Sequence, residues 1–91
     1  MNAIAVPMID ERALSKLRWR CRRGLLENDL FIERFFTRHA DAGISVTQAD
    51  GLTMLMDLSD NDLLDLLLCR KEPSGELDVA AVHEVLADLR T

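Results

Sequence analysis

Residues 17–36 read LRWRCRRGLLENDLFIERFF. The second half of this stretch holds every phenylalanine of the chain, Phe31, Phe35 and Phe36, with Ile32 among them. Their spacing gives one broad apolar face on a helix expected over about 26–39, and this helix is read as the centre of the core. Glu27 and Asp29 sit in its first turn, where negative charge suits the helix dipole.

Working back from this helix, residues 10–23 form a second helical pattern. Leu14, Leu17 and Cys21 recur at three and four residues and share a face, which Leu25 extends. Trp19 points roughly opposite to them, at 100° per residue. On the wheel it joins Arg12, Lys16, Arg20 and Arg23 in a basic stripe. Two readings stay open for it. An indole among arginines has the composition of an interface hot spot. An indole under a neighbouring helix, covered by arginine stems, is the structural alternative. Gly24 reads as the end of the first helix, because glycine takes the left-handed conformation without a Cβ penalty.

Working forward, Ser45 and Gln48 have the spacing of a capping box and open a third helix. Its stripe is Ala49, Leu52, Leu55 and Met56, and Gly51 inside it costs up to about 1 kcal/mol relative to alanine. A fourth helix starts near Ser59 or Asp60 and carries Leu63, Leu64, Leu66, Leu67 and Leu68, a density that implies burial. Residues 70–76, RKEPSGE, form a loop marked by Pro73 and Gly75. A fifth helix follows Asp78, with Val79, Val82, Leu86 and Leu89 facing inward.

The whole is read as all-α: a small single-domain bundle of five helices over 10–91, with a flexible N-terminal segment at 1–9. Composition agrees, at 48% hydrophobic and 30% charged residues with no tyrosine and no alternating β-branched run. The opening MNAIAVPMID lacks a basic region and a long apolar stretch, so neither a signal peptide nor a membrane span is expected. Two cysteines do not suggest a disulfide framework, and a cytoplasmic setting follows.

The net charge of −5 is unevenly spread. Residues 1–45 carry 8 basic and 6 acidic groups, whereas residues 46–91 carry 3 and 10. Such asymmetry marks either a partner surface or a solvated helix face. Nucleic acid is a rival partner for the basic segment 12–23, but the acidic second half opposes phosphate.

Chemistry-bearing sites are mostly excluded. Asp57, Ser59, Asn61 and Asp62 look like a calcium loop, yet loop positions six and twelve hold Asp62 and Leu68 instead of glycine and glutamate. They are read as helix caps. Cys21, His39, Cys69 and His83 lack zinc spacing. His39 reads as a helix-terminal residue, His83 as ordinary surface and Cys21 as a buried structural thiol. No glycine-rich phosphate loop or acid–base pair stands out, so an enzyme is not expected.

The stretch 17–36 also resembles the SdhE family, succinate dehydrogenase assembly factor 2. The match runs through Arg-Gly-x-x-Glu at Arg23, Gly24 and Glu27, followed by Asp29 and preceded by Trp19, Cys21 and Arg22. It extends more loosely through SDNDLLDLL and the Glu72–Pro73 loop. Family members often carry a tryptophan where this chain has Leu66 and a glycine where it has Cys69. The resemblance implies a five-helix bundle that is not itself an enzyme. It implies binding to the flavoprotein subunit of succinate dehydrogenase, in some bacteria of fumarate reductase, and promotion of covalent FAD attachment there. Contact residues are then expected at Arg23, Gly24, Glu27 and Asp29, and the wheel adds Trp19, Lys16 and Arg20. No cofactor is expected on this chain, no nucleic acid and no membrane insertion, and the chain is expected as a monomer. The alternative is a regulatory binding module, antitoxin-like or in contact with nucleic acid, using residues 12–23.

Overall fold

The computed structural model describes residues 7–22 and 26–91. Its helices are α1 (Glu11–Arg20), α2 (Leu26–Arg38), α3 (Val46–Met56), α4 (Asp60–Leu67) and α5 (Ala80–Leu89), with a 3-10 turn at Gly75–Leu77 before the last. The bundle is the small all-α domain expected from the sequence.

Each start has a local cause. The Asp10 carboxylate accepts the Ala13 N–H at 2.8 Å and opens α1. Ser45 and Gln48 form the expected capping box, each side chain bonding the other's backbone N–H. The Ser59 hydroxyl accepts from Asp62 N–H and opens α4. Asp57 is the C-cap of α3, so this acidic run does serve helix ends.

The core is continuous. Phe35, Leu52, Leu55, Leu63, Val82, Val85, Leu86 and Leu89 are essentially sealed from solvent. Each such side chain contributes about 1.5–3 kcal/mol relative to exposure. α3 and α5 form the most extensive helix pair, and α2 lies across α4 and α5. At the far end of α2, Arg38 and His39 both bond Asp88 of α5, with Arg38 Nη2 at 2.9 Å and His39 Nε2 at 2.5 Å. The Arg90 guanidinium crosses to the carbonyls of Leu66 and Lys71 and to Glu72, and so holds the 70–76 loop down.

Several expectations need correction. Helix α1 ends at Arg20, not 23: the Arg22 N–H closes back on the Trp19 carbonyl, a three-residue bond that tightens the last turn and ends the helix. Val79 is not inward. It is the extended N-cap of α5, 41% exposed, and a residue outside the helix does not follow the helix wheel. Val85 takes the inward place instead. Leu68 is the C-cap of α4 and is exposed for the same reason. Within the segment 1–9, residues 7–9 are tied down: Ile9 N–H bonds the Ile44 carbonyl, Val46 N–H bonds the Pro7 carbonyl, and Met8 bridges Ser45.

Candidate functional site

The junction between α1 and α2 is where the sequence concentrates charge. Leu17 and Cys21 point inward there, 7% and 0% exposed. That fixes the rotation of α1 and turns Trp19 outward, where 76% of it is exposed. The structure thus removes the packed reading of the indole: no described helix covers it.

Beside Trp19 lies a cleft of about 350 Å³. One wall is α1 and its cap, with Ser15, Arg18, Trp19 and Arg22. The other is α2, with Asp29 and Glu33. Cys21, Ile32 and Phe36 complete the lining and are buried core residues that reach it from below. The Arg18 guanidinium lies 5.4 Å from the Phe36 ring centroid, a cation–π contact between two residues of the lining.

The expected contact residues separate. Trp19 and Asp29 meet at this cleft. Glu27 is exposed on the first turn of α2. Lys16 is exposed but does not line the cleft. Arg20 turns away to the end of α3, where its Nη2 donates to Asp57 Oδ1 at 2.7 Å. It does not line the cleft. Arg23 and Gly24 lie outside the described residues, and with them the reading of Gly24 as the turn.

Sequence reasoning passed over Arg18 and Glu33 and named Arg22 only within the family motif; all three line the cleft. It also passed over Asn28. Asn28 is fully buried, and its Nδ2 donates to the Asp60 carbonyl at 3.0 Å. This bond pins the first turn of α2, which carries Glu27 and Asp29, to the first turn of α4. Its Oδ1 has no partner among the described residues, a cost of about 1–3 kcal/mol for a sealed acceptor. The wheel does put position 28 on the Ile32–Phe35 face, so its burial was legible, though its bond to α4 was not.

Elsewhere the side chains offer less chemistry. Among the described residues, no group of three or more His, Cys, Asp or Glu side chains is placed to hold a metal ion. No described helix is long and apolar enough to cross a membrane. His83 pairs with Asp78 at 2.7 Å on the surface. Cys69 is exposed, and Cys21 is buried as expected.

The family model described as flavinator of succinate dehydrogenase matches residues 15–91. The FAD assembly factor SdhE of Ralstonia nicotianae is 54% identical over 81 residues, covering 89% of this chain and 84% of that protein. The proteins of the same name from Legionella pneumophila (strain Lens) and Photobacterium profundum are 35% and 33% identical, covering 76% and 86% of this chain and 86% and 85% of their own lengths. No solved structure gives a significant match to the chain. With the motif, the bundle and these relatives in agreement, the chain belongs to the SdhE family, the flavinators of succinate dehydrogenase.

Proposed function

We infer that this chain is an FAD assembly factor that binds the flavoprotein subunit of succinate dehydrogenase and promotes covalent attachment of FAD to it. The exposed Trp19 carries the reading. A tryptophan usually hides most of its surface. One left 76% exposed at the edge of a charged cleft, in a chain whose relatives are named FAD assembly factors, has the makings of an interface anchor. Glu27 and Asp29 stand on the neighbouring helix, and Arg23 and Gly24 join them in the sequence motif.

In this reading the chain is no catalyst. It acts as a monomer in the cytoplasm and holds the flavoprotein so that the accepting side chain and the flavin meet. Such alignment lowers the barrier by replacing a loose encounter with a fixed geometry. FAD stays with the partner throughout. The flavoprotein subunit of fumarate reductase is a second partner of the same kind. The regulatory-module alternative is weakened for nucleic acid by Asp29 and Glu33, which line the cleft and would repel phosphate.

The test is co-expression with the flavoprotein subunit, reading covalent flavin by in-gel fluorescence. Trp19→Ala and Glu27→Ala should keep the wild-type melting curve within a few degrees and lower flavin attachment by about tenfold or more. Equal flavin attachment with and without the chain would sink the reading. A Glu27→Ala chain that unfolds would return Glu27 to a helix-capping role.

A further inference from the structure

We propose that residues 72–77 form a flap that opens as a unit while the five helices stay folded, and that the Arg90 guanidinium is the catch that holds it shut. Opening uncovers the wall beneath, formed by Leu58 and Leu66, so one ionic contact sets how often the bundle shows apolar surface there.

The flap has two firm ends. Before it, the N–H groups of Arg70 and Lys71 both reach the Asp65 carbonyl and belong to the end of α4. After it, His83 of α5 holds the Asp78 carboxylate at 2.7 Å. Between these anchors the backbone bonds among the described residues are all local. Leu77 N–H closes on the Ser74 carbonyl, Asp78 N–H on the Gly75 carbonyl and Val79 N–H on the Leu77 carbonyl. The one side-chain bond from 72–77 to the described helices is that of Glu72 to Arg90, whose Nη1 and Nη2 donate to its carboxylate at 3.3 and 3.1 Å. Arg90 is itself rooted on α4, where its Nε donates to the Leu66 carbonyl at 2.8 Å. Its Nη2 also donates to the Lys71 carbonyl at the flap's near end.

Packing under the flap is thin. Glu72, Ser74, Gly75 and Glu76 are exposed, and only Pro73 and Leu77 turn inward. Beneath them lies a cavity of about 190 Å³, bounded on the far side by Leu58, Asp62 and Leu66. Atoms that face a void have no dispersion partners on that side, so lifting the segment forfeits few contacts. Gly75 sits at φ 58°, with nothing within 4 Å of where a Cβ would stand. On release glycine regains more backbone freedom than any other residue, which favours the open state. Segments with few apolar contacts and local backbone bonds open well below the cost of global unfolding. A charge-assisted pair then dominates the closed state.

The experiment places a thiol on the covered wall with Leu66→Cys, in a full chain carrying Cys69→Ser so that the exposed native thiol is silent. Alkylation by iodoacetamide, read from the mass of the peptide that holds position 66, gives the opening constant. Urea denaturation of the same chain gives the unfolding constant. Opening should exceed unfolding by about tenfold or more and stay nearly flat in low urea, because little surface is exposed. Adding Arg90→Ala should raise opening about tenfold, as the loss of a charged hydrogen-bond donor implies. Adding Gly51→Ala instead, which strains the α3–α5 contact, should raise unfolding and leave opening within about twofold. If Arg90→Ala does not fold, Glu72→Gln weakens the same catch and should raise opening severalfold. An opening constant equal to the unfolding constant, or one that rises in step with it in Gly51→Ala, overturns the flap, since the loop then opens only with the whole bundle. Opening unmoved by either change at the catch overturns the role of Arg90.

Discussion

Gly51 shows how a single residue changes meaning once its neighbours are known. By helix propensity it weakens α3, and alanine there should stabilise by about 1 kcal/mol. In the bundle a Cβ at this position would lie 2.3 Å from the carbonyl oxygen of Ala81 and 2.8 Å from its carbon, both backbone atoms of the facing helix. Backbone cannot swing aside as a side chain can. Gly51→Ala should therefore destabilise, by about 2 kcal/mol once the propensity gain is subtracted from the overpacking. Urea denaturation followed by circular dichroism reads the sign directly, and a stabilised variant would mean that α3 and α5 separate easily. Cys69 is the opposite case. It is the only non-glycine described residue with positive φ, at 62°.

At the scale of the element, that φ value belongs to a helix ending. The Arg70 N–H bonds the Asp65 carbonyl at 2.8 Å and the Cys69 N–H bonds the Leu66 carbonyl at 3.2 Å, the paired closure of a Schellman motif. The residue after the cap must be left-handed, which costs an L-residue about 1–2 kcal/mol. Cys69→Gly should raise stability by about 1 kcal/mol, less a part returned to the unfolded chain. In thermal denaturation this appears as a Tm higher by about 4 °C. A lower Tm would show that the thiol, rather than the turn, matters at this position. Helix starts were equally legible, because Ser45, Ser59 and Asp10 act on N–H groups within three residues of themselves. Helix α1 was read three residues too long, since nothing at 21–23 breaks a helix by composition.

At the scale of the molecule, α2 is held at both ends. Asn28 fastens its first turn to α4, and Arg38 and His39 fasten its last to Asp88. Burial pushes the Asp88 carboxyl up, but hydrogen bonds from His39 and Arg38, together with their charges, outweigh it and leave the group below its usual range. A lowered folded value means stability that is fully present above the unfolded pKa of about 3.9 and lost as pH falls through the folded value. Asp88→Asn should cost about 1 kcal/mol at pH 7, discounted because Arg38 and Asp88 are partly exposed. The gap to wild type should close at a second pH taken below the folded value, where the wild-type carboxyl also loses its charge. Urea midpoints at the two pH values check this, and a gap that persists in acid would assign the cost to packing. Flavin attachment by the folded variant should be unchanged, since none of Arg38, His39 and Asp88 lines the cleft.

The sequence by itself determined the helices, their caps, the inward faces around Phe35, Leu52 and Leu86, and the motif that places the chain in its family. All of these depend on chemistry within a turn or two of chain. The tertiary structure alone decided that Trp19 stays uncovered, that Arg20 leaves it for Asp57, that Arg22 and Glu33 line one cleft, and that Gly51 admits another backbone. A helical wheel gives the direction of a side chain about its own axis. Which helix lies in that direction, and how near, follows from the packing of whole helices around a shared core.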